Sequence, residues 1–418
     1  MNRMAFSTFI FVLLLAIPGA YAQELYTFSE SIDILTRHNA ELRSAEAGVE
    51  IARNQLNIAY GNFLPEISVG TNYLQKQVND TNSTGYGAEI VVTENIFNGF
   101  RDLSTLDDAK AKLEIAEATL RNVKAKLSYD LKSSFAGLIY AHENIKLAES
   151  IHKRRSDNNS LVQLRFESGR ENKGSVMLSA AYLQEAAIDV KRAQLTLDTA
   201  KTNYLRVLGL AAGKDVDISG TMPEVVEPGV TPQFLELVQT VPDRVIAVSQ
   251  VKTAEAVLKS TYAGYYPTLG VKGKIGRNGD TWFPDDNDYW ELEASLGWSL
   301  FNGGKTFFAS KSSFADKMVA ENNLRNMDLS LATALKTAYA EFVIAIENYK
   351  VSQAFVEAQN VRAEIGRSKY NNGLSTFDDW DIIENDLISR QKNLIEKRRD
   401  RVNAEASWER SQGRGVIP

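Results

Sequence analysis

The second half of this chain repeats the first. Phe97-Asn98-Gly99 returns as Phe301-Asn302-Gly303, a shift of 204 positions. The same shift carries Glu143-Asn144 onto Glu347-Asn348, Arg165-Phe166 onto Lys369-Tyr370, Gly169 onto Gly373 and Gly209 onto Gly413, with no gap. A period this long is not a solenoid repeat. It is a duplicated supersecondary block, so whatever the chain builds, it builds twice. The blocks fall at 23–209 and 232–418, joined by a linker at 210–231.

Residues 1–22 read as a secretory signal. Arg3 supplies the positive region, Phe9 to Ile17 the apolar run, and Ala20-Tyr21-Ala22 the small-x-small cleavage site. No later stretch reads as a transmembrane helix, so strands would have to cross any membrane. The chain has no cysteine, which excludes disulfides, thiolate metal sites and a lipid anchor on an N-terminal cysteine. A net charge of −6 without a dense basic block argues against nucleic acid as a partner.

Each block opens with a helix, about Ser29 to Tyr60 and about Pro232 to Ala263. Each stops at an aromatic-proline boundary, Phe63-Leu64-Pro65 or Tyr265-Tyr266-Pro267. Two strands follow, about 66–97 and 268–301. The clearest runs from Trp290 to Leu300. Trp290, Leu292, Ala294, Leu296, Trp298 and Leu300 face one way, and Glu291, Glu293, Ser295, Gly297 and Ser299 the other. The two tryptophans lie about 26 Å apart along the strand at ~3.3 Å per residue, close to the roughly 25 Å between the aromatic girdles of an outer-membrane barrel. The polar stretches Val78 to Thr84 and Gly279 to Asp288 read as hairpin tips.

A proline-free helix follows each strand pair. The first, about Asp102 to Ser168, would be roughly 100 Å long at 1.5 Å per residue. Its seam of Leu106, Ala109, Leu113, Ala116, Leu120, Val123 and Leu127 alternates steps of three and four, a coiled-coil pattern. Leu131 and Phe135 then follow at steps of four, a local stutter. The second block repeats the seam with Leu324, Met327, Leu331, Leu335 and Tyr339. Gly169 and Gly373 end these helices as left-handed caps. A shorter helix returns, about Lys173 to Leu208 and about Phe377 to Glu409. Together with the opening helix it matches the long helix in length, so the two short helices can stack end to end beside it.

Four strands cannot close a barrel, and an open edge in lipid costs several kcal/mol per unpaired backbone group. Several copies must therefore share one wall. Three copies give twelve strands; closure alone also allows two. The fold class is thus mainly α with a β-barrel portion: a long coiled-coil α-barrel continuous with a transmembrane β-barrel, four strands per chain.

The pattern resembles the TolC family of outer-membrane efflux and secretion channels. The resemblance rests on Tyr266-Pro267, on Asn98-Gly99 and Asn302-Gly303, and on the tips Arg165-Phe166-Glu167-Ser168-Gly169 and Lys369-Tyr370-Asn371-Asn372-Gly373. It covers nearly the whole mature chain, and the missing cysteine places it with the unlipidated branch. It implies a homotrimer in the outer membrane of a Gram-negative bacterium, with a periplasmic tunnel closed at its far end. It also implies docking to a periplasmic adaptor protein and an inner-membrane pump or ABC transporter. The chain would be the passive exit duct of a tripartite efflux or type I secretion system. The alternative is a periplasmic structural or adhesive coiled-coil protein without channel activity.

No catalytic constellation and no cofactor motif is present, so an enzyme is not expected. His38, His142 and His152 are scattered without a ligand cluster. The family closes its aperture with a tyrosine just before an equivalent turn and acids after it. Tyr370 matches the tyrosine and Asp379 the first acid. The family's basic partner falls on Ser375, its later acid on Ile382, and an acid of the first block on Ser175, so a salt-bridge lock is not carried over. In a threefold assembly, Asp378, Asp379 and Asp381 would each become a ring of three able to select cations. Their alternative is simple stabilisation of a helix N-terminus, ~0.3–1 kcal/mol each. The turns Gly169-Arg170 and Gly373-Leu374 are the candidate adaptor contacts. Glu89, Lys272, Lys274, Glu291 and Glu293 are the candidate barrel-lumen residues, and Trp290 and Trp298 the candidate girdle.

Overall fold

The computed structural model describes residues 24–78, 80–213, 216–282 and 287–418. The signal assigned to 1–22 lies outside them. The first block runs β1 (Glu24–Tyr26), α1 (Phe28–His38), α2 (Ala40–Gly61), β2 (Glu66–Val78), β3 (Thr81–Phe97), α3 (Arg101–Glu167) and α4 (Lys173–Leu208). After β4 (Val216–Ile218) the second block runs α5 (Phe234–Val238), α6 (Pro242–Tyr262), β5 (Thr268–Gly279), β6 (Asn287–Gly297), α7 (Lys305–Asn371) and α8 (Phe377–Ser411).

Both opening helices are broken where one continuous helix was expected. Asn39 leaves the helical region (φ −70°, ψ 121°), and its side chain caps α2 by accepting from the Glu41 and Leu42 amides. Its amide donates to Leu35, closing α1. In the second block Pro242 starts a new helix at α6, where its missing N–H costs nothing. A capping asparagine at one point and a proline at the other override an otherwise helical pattern.

The long helices span 67 residues each. Asn98 and Asn302 explain the Asn-Gly motif. Each side-chain oxygen accepts from an amide in the first turn of its helix, that of Asp102 or Thr306. At the far end Gly169 (φ 73°) and Gly373 (φ 75°) form matching Schellman closures. Arg170 donates to Arg165 at 2.8 Å and Leu374 to Lys369 at 2.8 Å.

The helices form four columns. α2 packs on the sheet-proximal part of α3 through Ala59, Leu106 and Ala109, and α4 on its far part, where Ser179 reaches Asn159. On another flank, α6 pairs with α3 through Lys252 and Glu114, and α8 through Arg398 and Glu143. The same α6 and α8 pack against α7. The seam residues Leu106, Ala109, Leu127, Leu131 and Phe135 are buried. A second set, Ser104, Ala111, Ala118, Ala125 and Lys132, is buried too, at steps of seven. Sequence reading missed it because its members are small or polar. Small side chains there let α3 be flanked on several sides.

The main core lies near mid-helix. Leu35, Leu42, Leu131, Phe135, Tyr204, Leu208, Val216, Phe342 and Val402 gather there. The parallel pair β1–β4 closes over it. The Tyr204 and Ser31 hydroxyls share a hydrogen bond inside this core, and burial pushes the Tyr204 phenol up to about 12.

The four long strands make one antiparallel sheet in the order β2-β3-β5-β6. Pairing of β2 with β3 continues to Val78 and Thr81, so Thr81 to Thr84 belong to the ladder and the expected first tip is much shorter. β6 ends at Gly297, so Trp298 and Leu300 lie beyond it rather than inside it. One further expectation is corrected. α7 contains an 18-residue stretch apolar and long enough to cross a membrane by composition alone. Its exposed flank carries Ile344, Val351 and Ile365 in heptad register.

Candidate functional site: the sheet faces and the helical tips

Residues paired across antiparallel strands point to the same side. The register therefore sorts the sheet. Ile67 and Val69 pair with Val92 and Ile90, Ile90 with Ile275, Ile275 with Trp290, and Leu269 with Leu296. With Leu292 these form one apolar face. Ile67, Val69, Ile275, Trp290, Leu292 and Leu296 are all more than half exposed, far more apolar surface than a soluble sheet leaves bare. The other face holds all five charged candidates: Glu89, Lys272, Lys274, Glu291 and Glu293. Lys274 pairs with Glu291 at 2.8 Å, and the Tyr289 hydroxyl donates to Glu89 at 2.9 Å. Trp290 and Trp298 are exposed, and Trp298 Nε1 donates to the Tyr265 carbonyl at 3.2 Å.

At the opposite end of the helices the two tips are joined. Tyr370 is 1% exposed and stacks on Trp380, with centroids 4.4 Å apart and an 11° interplanar angle. The Arg165 guanidinium lies 4.5 Å from the Tyr370 ring centroid and donates to the Tyr370 carbonyl at 2.8 Å. The Tyr370 hydroxyl donates to Glu171 at 2.9 Å. Burial, reinforced by the Glu171 carboxylate, pushes the Tyr370 phenol well above its ordinary range. Val162 and Phe377 complete this small core.

The three aspartates have separate surroundings. Asp379 forms a reciprocal capping box with Thr376, accepting from its hydroxyl at 2.7 Å. Asp378 is exposed on the first turn of α8. Asp381 is buried, 3.3 Å from Arg155 on α3, and accepts from Asn385 at 2.9 Å. Asp381 thus points into its own protomer, where Arg155 offsets the cost of burying its carboxylate. Gly169, Arg170, Gly373 and Leu374 all stand exposed at the tips.

Sequence reasoning missed Arg165, Glu171 and Trp380 as partners of Tyr370. The acid was sought at Ser175, which is buried and capped through its amide by Asn172. Glu171, four residues earlier, supplies the carboxylate. The only sequence signal was an acid directly beside the tip glycine turn. Among the described residues no group of three His, Asp or Glu side chains gathers in a metal-binding arrangement.

A sheet with one bare apolar face, carried on coiled coils some 100 Å long, defines the class: an outer-membrane channel with a large periplasmic part. The chain belongs to the outer membrane efflux protein family, whose sequence profile matches residues 32–210 and 241–414. It is similar to the outer membrane efflux protein BepC of Brucella suis biovar 1, at 19% identity over 381 residues, covering 90% of this chain and 83% of that one. Its fold is similar to that of the outer-membrane channel OprN, with TM-score 0.84 and 19% identity over 94% of this chain and 91% of that one. It is likewise similar to the outer membrane protein VceC of Vibrio cholerae, with TM-score 0.82 and 16% identity over 94% and 97%.

Proposed function

We propose that three copies close into one tube, twelve strands in the membrane above twelve helical columns, and that this tube is the exit duct of a tripartite pump or type I secretion system. The observation that carries the reading is the sheet: an exposed apolar face with β2 and β6 as open edges. In lipid those edges must pair, and head-to-tail pairing of β6 with the next copy's β2 closes a ring. The helices support the same joint. α7 exposes Ile344, Val351 and Ile365. The column at the opposite side of the protomer exposes Ile51 and Ile58 on α2 and Ile188 and Leu195 on α4, again at steps of seven. The lumen then takes Glu89, Lys272, Lys274, Glu291 and Glu293, and lipid takes Trp290 and Trp298.

At the periplasmic end the Tyr370–Glu171 and Arg165–Tyr370 bonds tie the α7–α8 tip to the α3–α4 tip and hold the tube narrow. Asp378 and Asp379 are the carboxylates left at the surface to form rings there. The exposed turns Gly169-Arg170 and Gly373-Leu374 meet an adaptor protein, and an inner-membrane transporter supplies the energy. The test is reconstitution in planar bilayers after detergent extraction. A trimer by light scattering with ohmic single-channel steps is expected, and Asp379→Ala should weaken block by divalent cations. A monomer that conducts nothing would sink the duct and leave the structural coiled-coil protein; unchanged block would remove Asp379 alone.

A further inference from the structure

The duplication supplies a template for the joint between copies. Each long helix packs on its own returning helix, α3 on α4 and α7 on α8. α3 is also held on a second flank, by α6 and α8 of the other block. Among the described residues α7 packs along its length only on α6 and α8, so its matching flank is bare. Positions 204 apart allow a comparison residue by residue. Tyr140 of α3 lies under Arg399 of α8, with the guanidinium 4.6 Å from the ring centroid. Their counterparts are Ile344 on α7 and Leu195 on α4. One heptad nearer the tips, Leu147 and Lys392 have the counterparts Val351 and Ile188. All four counterparts are more than half exposed in the protomer. The next heptad brings Ala358 and Ala181, exposed as well. α3 and α8 run antiparallel. In a repeat of their seam, seven residues forward on α7 therefore meet seven residues back on α4, and one register serves all three pairs.

The chemistry differs between the two flanks. Inside the protomer ion pairs join α3 to α8: Arg398 with Glu143, Lys132 with Glu405, Arg155 with Asp381 and Arg154 with Glu384. Their counterparts are Gln194 with Glu347, Lys201 with Lys336, Met177 with Gln359 and Ala180 with Ala358. None of these joins opposite charges. Lys201 turns instead to Asp217 of its own chain, at 3.9 Å. We propose that the joint between copies repeats the α3–α8 seam in register, α7 in the place of α3 and the next copy's α4 in the place of α8, with apolar contacts where the inner seam has ion pairs. Ile344 meets the next copy's Leu195, and Val351 meets its Ile188. Two copies that assemble from water then gain by covering apolar side chains and have few charges to desolvate, and charged residues are depleted from the cores of stable interfaces. The proposal rests on the closed-tube reading and adds to it which residues touch and by what force.

The chain has no cysteine, so introduced thiols report without background. The test is cross-linking of the detergent-extracted protein with a short bismaleimide, read on a denaturing gel. The double variants Leu195→Cys with Ile344→Cys and Ile188→Cys with Val351→Cys should each give a covalent trimer, because every copy carries both halves of the joint. Leu195→Cys with Ile365→Cys stands 21 residues out of register, about 31 Å along α7, and should stay a single chain. In-register pairs that fail to link in a protein that scatters light as a trimer would refute the register and leave the duct standing; so would an out-of-register pair that links as readily. A wild type that scatters as a monomer would instead remove the closed tube itself. Wild type also tests the chemistry without any substitution. Raising salt from about 0.05 M to about 1 M, where charges interact over only about 3 Å, should leave the fraction of trimer unchanged. Dissociation by salt would show that ion pairs hold the joint and overturn the proposal.

Discussion

Tyr370 and Glu171 meet across 199 sequence positions, and no local pattern encodes that distance. The glycine turns beside them are different. Gly169 and Gly373 were readable as caps because a left-handed residue at a helix end is a local requirement; Gly209 and Gly413, read only as repeat anchors, adopt the same left-handed conformation. Their surroundings were not readable, and they separate the consequences of substitution. A Cβ at Gly169 meets open space, whereas at Gly209 it would lie 2.6 Å from the His38 carbonyl oxygen and 2.9 Å from Asn39 Cα. Gly169→Ala should cost only the left-handed strain, about 1–2 kcal/mol. Gly209→Ala should cost clearly more and lower the melting temperature further in a parallel thermal melt; equal shifts would refute the close contact. At the tip, Tyr370→Phe keeps the stack on Trp380 but removes one hydrogen bond, worth about 1 kcal/mol or somewhat more to a charged acceptor. Spontaneous opening in single-channel records should rise several-fold. A phenylalanine variant as quiet as wild type would show that the stack and Arg165 hold the tip without Glu171.

The two 67-residue helices were legible because no proline interrupts either over so long a stretch. The breaks at Asn39 and Pro242 were not, since an asparagine that caps looks like any polar helical residue until its neighbours are known. The least legible part is the way the linker after β4 is fastened. The Val226 amide donates to Glu405 on α8 at 3.3 Å, and Lys132 on α3 stands between Glu405 and Glu409 at 3.6 and 2.6 Å. Burial raises the Glu405 carboxyl, only partly offset by Lys132 and the Val226 amide. The folded state therefore holds the Glu405 proton more tightly than the unfolded chain does. Its contribution to stability falls as pH climbs from the ordinary glutamate range through the raised folded value, and recovers on acidification. Glu405→Gln should flatten that stretch of the stability profile. Melting temperatures of both proteins in detergent at a series of pH values would check it, and parallel slopes would count against the assignment.

For the whole molecule, the proposed sharing of one wall by several copies rests on the strand count, because four strands cannot pair all their edges in lipid. Which surfaces would join was hidden, since the exposed heptads on α2, α4 and α7 read in sequence as ordinary coiled-coil positions. If Val351 lies in the joint between copies, Val351→Glu should convert the trimer to monomer by light scattering while leaving circular dichroism near wild type, because Val351 is half exposed in the protomer. An intact trimer would place the joint elsewhere.

From Phe135 in the main core to Arg165 at the tip there are thirty residues of unbroken α3, about 45 Å of stiff rod. Such a rod is a lever. A pivot of one degree at mid-length swings its free end by about 0.8 Å, enough to part a hydrogen bond like that between Arg165 and the Tyr370 carbonyl within a few degrees. Leaky variants should therefore turn up far from the tip, among the side chains that set the angle at which the rods leave the fulcrum.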